Sequence, residues 1–132
     1  MRGRASGKRQ FLMLFRNVKR SAAYQGLSVY ARAVLLELVD RYDGCNNGMI
    51  GLGVRELAYE LRCSRGAASI ALRELDDAGL ARPVTMGAFR GRRASEWRLT
   101  FYRCDKTGEL PMTQWEQREP FSQSTRKDAT VH

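Results

Sequence analysis

Only three residues, Arg62-Cys63-Ser64, separate two stretches of this 132-residue chain in which apolar side chains recur at helical spacing. In the first stretch Leu57, Ala58 and Leu61 share a face; in the second Ala68, Ala71, Leu72 and Leu75 repeat with a period near 3.6. Gly53 is an acceptable N-cap, with Glu56 at the third position, where its carboxylate can reach back to free backbone N–H groups. Ser64 caps the second helix and Gly79 stops it. Two short helices with so short a join constitute a helix-turn-helix unit. By period alone, amphipathic helices suit an ordinary bundle core equally well, so the flanking segments decide.

Upstream, Ser28 reads as an N-cap, and Ala31, Val34, Leu35, Leu38 and Tyr42 fall on one helical face, with Gly44 as the stop. Residues 21–24 add a helical turn before Gly26. The uniformly apolar Phe11-Leu12-Met13-Leu14-Phe15 suits either a short strand or a buried turn, and is read as extended. Gly44-Cys45-Asn46-Asn47-Gly48 is turn chemistry, and Met49-Ile50-Gly51-Leu52 is short enough for a single edge strand. Downstream, Leu80-Ala81-Arg82-Pro83-Val84 predicts a strand and residues 87–91 a loop. Trp97-Arg98-Leu99-Thr100-Phe101 then predicts a second strand, whose alternation gives it one buried face. The expected fold is mainly α with a small β-hairpin (α+β), a winged helix-turn-helix in which the hairpin is the wing. A chain of this length allows one compact domain of about 100 residues plus tails. Residues 21–103 are expected to form that domain, residues 1–20 a basic, flexible arm, and residues 104–132 a tail. Trp115 and Phe121 suit a short docking helix near residues 112–118 of that tail.

Lys and Arg outnumber Asp and Glu by 23 to 14, a net charge of +9, and the excess sits in two blocks. Residues 1–20 carry seven basic side chains and no acid, and residues 81–103 carry six Arg against one Glu; the helical stretch between them is slightly acidic. This placement favours a polyanionic partner. A major groove admits one helix, so side chains near that helix's N-terminus must be small or polar and able to donate. Ser64, Arg65, Gly66, Ser69 and Arg73 answer that description, and the N–H groups after Ser64 can hold a phosphate. At the hairpin tip, glycines flank Arg90, Arg92 and Arg93, which suits gripping a phosphate backbone or entering a minor groove. Arg2, Arg4, Lys8 and Arg9 add weaker phosphate contacts from the arm. The bland alternatives are a solvated hairpin tip, a tail kept soluble by charge, and pairing of Arg65 and Arg73 with Glu60, Asp76 or Asp77. Such surface pairs contribute only about 0–1 kcal/mol.

The order helix, strand, helix, turn, helix, basic hairpin resembles the winged-helix superfamily, and residues 28–101 carry it. Asn46-Asn47-Gly48-Met49-Ile50-Gly51-Leu52, Arg55-Glu56-Leu57-Ala58, Glu74-Leu75 through Gly79-Leu80, and Ala94-Ser95-Glu96-Trp97-Arg98-Leu99-Thr100 look like a family of small bacterial winged-helix proteins. That family belongs to phages, plasmids and integrated elements, mostly of alphaproteobacteria, and the resemblance implies its fold and DNA binding. The chain departs from the family pattern at Gly53, where such helices often begin with Ser. It departs again at Gly66-Ala67-Ala68, where a polar or Thr-containing stretch is common; this bears on how many bases the third helix reads.

Other classes find little support. No segment reaches the roughly 18 apolar residues of a membrane span, and residues 11–15 are too few for a signal-peptide core. Cys45, Cys63 and Cys104 are odd in number and widely spaced, with neither a disulfide framework nor a zinc ligand set, so no metal or cofactor is expected. Gly51-Leu52-Gly53-Val54-Arg55-Glu56 begins like a dinucleotide fingerprint, but Glu56 replaces the third glycine and would repel pyrophosphate. The single histidine, His132, is an improbable held base, and no nucleophile elbow or phosphate loop is present, so catalysis is not expected. The expectation is a cytoplasmic protein that binds double-stranded DNA, a transcriptional regulator of a phage or mobile element, for which a palindromic site and a homodimer would be reasonable. The alternatives are the DNA-binding part of a replication initiator or excision factor, and, in another class, a protein-interaction module such as a phage-encoded inhibitor or adaptor.

Overall fold

Ser28 begins the first long helix: its hydroxyl accepts from the Ala31 N–H at 3.1 Å, and α3 (Val29–Arg41) follows, burying Ala31, Val34, Leu35, Leu38 and Val39. The computed structural model describes residues 10–85 and 95–117. Two single-turn helices, α1 (Arg16–Lys19) and α2 (Ala22–Gln25), precede α3. After it come β1 (Ile50–Leu52), α4 (Val54–Leu61), α5 (Arg65–Ala78), β2 (Ala81–Thr85), β3 (Ser95–Leu99) and a 3-10 turn at Gln114–Gln117. The strands make one antiparallel sheet in the order β1-β3-β2, so the architecture is α-helical with a small sheet. No helix among the described residues is long and apolar enough to cross a membrane.

The core lies between α3, α5 and the sheet. α5 contributes Ala68, Ala71, Leu72, Leu75 and Ala78 to it, and three small residues among these five let the helix lie close to its neighbours α3 and α4. Glu74, on the flank of α5, clamps α3 at its start: its carboxylate accepts from the Ser28 backbone N–H and from the Ser28 hydroxyl, both at 2.7 Å. A negative charge at a helix N-terminus also meets the favourable end of the dipole. The β2–β3 ladder pairs Ala81 with Leu99 and slips between Pro83 and Thr85. Pro83 has no N–H to give, which an edge strand tolerates.

The opposite end of the sheet is held by Asn47, which is fully buried. Its side-chain oxygen accepts from the Leu99 N–H at 2.7 Å, and its amide nitrogen donates to the carbonyls of Leu99 (2.9 Å), Arg103 (2.9 Å) and Tyr102 (3.3 Å). The last backbone pair of this ladder is Ile50 with Trp97. Two residues further along β3, the Asn47 amide stands in for a strand backbone and satisfies both groups of Leu99. Gly48 beside it has φ +98, and a Cβ there would meet the Cys104 Sγ at 2.6 Å and the Lys106 Cβ at 2.9 Å, so only glycine fits.

Several expectations need correction. Residues 11–15 form no strand; they run to a short helix, α1, whose Val18 is fully buried, so the basic segment joins the fold before residue 20. Phe15 packs its ring against Phe101 and Tyr102. α3 stops at Arg41, ahead of Gly44, because Tyr42 turns to extended backbone and stacks on Tyr102 with ring centroids 4.6 Å apart. Glu56 does not reach back to the start of α4; its carboxylate takes the stronger charge-assisted bond from Arg41 at 2.9 Å. β3 is covered on both faces, since Arg98 is only 4% exposed, paired with Glu109 and donating to the Leu110 carbonyl. The chain after β3 folds back over it, with the Met112 N–H donating to the Thr100 carbonyl at 2.7 Å. Where a docking helix was expected, a 3-10 turn places Trp115 in the core, edge-on to Phe101 and bonded through its indole N–H to the Met112 carbonyl.

Candidate nucleic-acid interface

Cys63 and Ser64 follow a C-cap, Arg62, that is the only non-glycine residue at positive φ among the described residues (φ 55, ψ 49). This left-handed residue turns the chain sharply enough for α5 to start with only three residues between it and α4, and it leaves the Arg62 side chain exposed. A side chain in that region costs about 1–2 kcal/mol relative to glycine. The Ser64 hydroxyl is engaged at the start of α5, accepting from the Ala67 N–H at 3.0 Å. Arg65, Gly66 and Arg73 are exposed and Ser69 is half-buried, so all five residues expected on this helix lie at its start or along its outer side.

Two groups escaped the sequence reading. On α4 and its C-cap, Arg55, Tyr59 and Arg62 follow an i, i+4, i+7 spacing, all three are exposed, and Tyr59 is 81% so. The signal was present in that spacing, on the side away from Leu57 and Leu61. On α5, Ile70 is 61% exposed although it is apolar and sits mid-helix. Its burial could not be read from period, because Ala67, Ala71 and Ile70 fit a broader apolar stripe about equally well.

Five of the other described cations are held in ion pairs, whereas the exposed Arg16, Lys19 and Arg20 of the N-terminal segment enter none among the described residues. Arg41 pairs with Glu37 and Glu56, Arg82 with Asp76, Arg98 with Glu109, Arg103 with Asp105 and Lys106 with Glu96. Arg55, Arg62, Arg65 and Arg73 enter no ion pair among the described residues, so the alternative of Arg65 and Arg73 pairing with Glu60, Asp76 or Asp77 is not what the structure shows. Acids gather elsewhere, around the end of α3. There burial raises the Glu37 pKa, Arg41 opposes it, and Glu60, Asp40 and Glu56 reinforce it. No group of three or more His, Cys, Asp or Glu residues among the described residues could hold a metal ion, and Cys45, Cys63 and Cys104 are free thiols.

The hairpin tip with Arg90, Arg92 and Arg93, and the arm with Arg2, Arg4, Lys8 and Arg9, lie outside the described residues. β2 and β3 lead into and out of that tip, and β2 follows α5 after only Gly79 and Leu80, with Gly79 in the left-handed conformation (φ 80). Compared with known protein families, curated proteins and solved structures, the chain matches none.

Proposed function

We propose that this chain is a winged helix-turn-helix protein that binds double-stranded DNA, with α5 in the major groove and the β2–β3 hairpin as the wing. The observation that carries this is the row of exposed arginines on the α4–α5 unit, Arg55, Arg62, Arg65 and Arg73, none held by an acid among the described residues. Unpaired guanidinium groups can bind phosphates without first breaking an internal pair. α4 then crosses the backbone, with Arg55, Tyr59 and Arg62 positioning the unit, while Arg65, Ser69 and Arg73 face base edges and the Gly66 region allows close approach. The arginines at residues 90, 92 and 93 serve the adjacent backbone or minor groove, and the basic residues of the arm add phosphate contacts. Control of transcription in a phage or mobile element is the commonest use of such a scaffold, and the same residues would serve a replication initiator or excision factor.

A protein-docking role is favoured by a different observation, a groove of about 940 Å3 lined by Phe11, Leu12, Met13, Tyr42 and Tyr102 among others. Salt dependence separates the two. Selection from random DNA at about 150 mM salt should enrich a motif, and its binding should fall with salt at a log-log slope of about −4 to −5. The symmetry of the motif reports monomer or dimer. Absence of DNA binding, with a salt-insensitive protein partner instead, would overturn the proposal.

A further inference from the structure

We propose that Ile70 reads the C5-methyl group of a thymine, with Gly66 as the point where α5 comes closest to the base edges. This rests on the DNA-binding function proposed above and names what one part of that surface recognises.

Nothing in the fold requires either residue. Ile70 is a β-branched side chain on a helix, stiff at χ1 and a poorer helix former than Ala, and at 61% exposure it gains little burial in return. Gly66, one turn earlier, is a helical glycine at negative φ. Beyond its own helix, a Cβ there would meet only the Ser64 Oγ, at 3.8 Å, an ordinary contact. Glycine is the weakest helix former after proline, so alanine would serve the helix better. At 3.6 residues per turn, Gly66 and Arg73 lie within about 60° of Ile70 around the helix axis. An apolar branch therefore projects beside a position with no side chain, with the exposed Arg73 on the same flank one turn on.

Single exposed apolar residues are ordinary on protein surfaces, and Val29 and Tyr59 are two others here. The neighbours of Ile70 set it apart. A protein partner would require a contiguous apolar patch, whereas Ile70 is the one large apolar side chain exposed on α5, on the flank that carries Gly66 and Arg73, with Glu74 four residues on already engaged by Ser28. On the floor of a major groove the apolar group available is the thymine methyl, flanked by acceptors that suit arginine. A single exposed branch beside a glycine matches that target in size.

The test replaces each thymine of the selected site in turn by deoxyuridine, which deletes the methyl and leaves every hydrogen-bonding group. The full-length protein should lose about fourfold in affinity at one thymine, the effect of a single methyl-sized apolar contact. Ile70→Ala should bind the thymine site that much more weakly and make no distinction between thymine and deoxyuridine there, while Ile70→Val keeps part of the distinction. Ile70 is exposed, so an unchanged melting temperature checks that these variants fold. Sequence-specific binding indifferent to every deoxyuridine, or discrimination that survives Ile70→Ala, overturns this inference and leaves the DNA-binding function standing. A protein that binds no DNA removes both.

Discussion

Replacing Asn47 by Ala deletes an amide that fills two roles at once, and the cost can be assembled from its contacts. The two amide hydrogens are shared among the carbonyls of Leu99, Tyr102 and Arg103, and the oxygen accepts from the Leu99 N–H. Three effective bonds at a net value of about 1 kcal/mol each give about 3 kcal/mol, and stranding a buried N–H adds about 1–2 kcal/mol more. The sum, about 4–5 kcal/mol, is a third or more of the stability of many domains of this size. Urea unfolding followed by circular dichroism should show the midpoint falling with little change in slope, and the melting temperature dropping by about 15–30 °C. Asn47→Asp is the sharper variant, because it keeps the shape and loses the donors. At neutral pH it sets a carboxylate against three carbonyls and beside Asp105, whose side chain accepts from the Asn47 backbone N–H. If Asn47→Asp lies within about 1 kcal/mol of the natural chain, the amide is filling space and the hydrogen-bond reasoning is refuted.

Two further outcomes follow from the same structure. Arg62→Gly should stabilise the fold by up to about 1 kcal/mol, because glycine adopts the left-handed C-cap without strain, yet it should weaken DNA binding on all sequences alike and reduce the salt slope by about one. Parallel melting and titration experiments separate the two effects, and a loss of stability would refute the strain assignment. Glu37 has a raised pKa in the folded chain, so the folded state binds a proton more readily than the unfolded state. The group lowers stability above its folded pKa and ceases to do so as pH falls to the ordinary value of 4.5. Glu37→Gln should therefore raise the unfolding midpoint at pH 7, with the advantage closing in acid; an advantage independent of pH would rule out this origin.

Where a single residue type controls local geometry, the sequence was sufficient. Ser28, Gly53 and Ser64 cap α3, α4 and α5 as their chemistry implies, and Gly79 ends α5. The expected strands appear near their positions, with β1 at a sheet edge. What escaped depends on contacts between distant residues. Nothing local tells Glu74 that Ser28 lies 46 positions away, or Arg98 that Glu109 will come back to cover it. The alternation of residues 97–101 is real, but alternation marks one buried face only if the other stays wet, and here the returning chain dries it. For the candidate interface, the Arg65 and Arg73 positions were legible from helical phase, whereas the exposure of Ile70 and the bend at Arg62 emerge only from packing and backbone angle.

Among the described residues, the order β1-β3-β2 puts the last strand along the chain in the middle. β1 and β2 leave the ribosome first, and neither is the other's neighbour, so each waits as an unpaired edge until residues 95–99 arrive to join them. Helices α3, α4 and α5 carry no such dependence, since their contacts close within the chain already synthesised. Time of synthesis thus divides the molecule differently from space: the helical unit can assemble early, and completion of the sheet comes later, bringing Leu99 to the waiting amide of Asn47 before Glu109 and Trp115 arrive to cover β3 and the core.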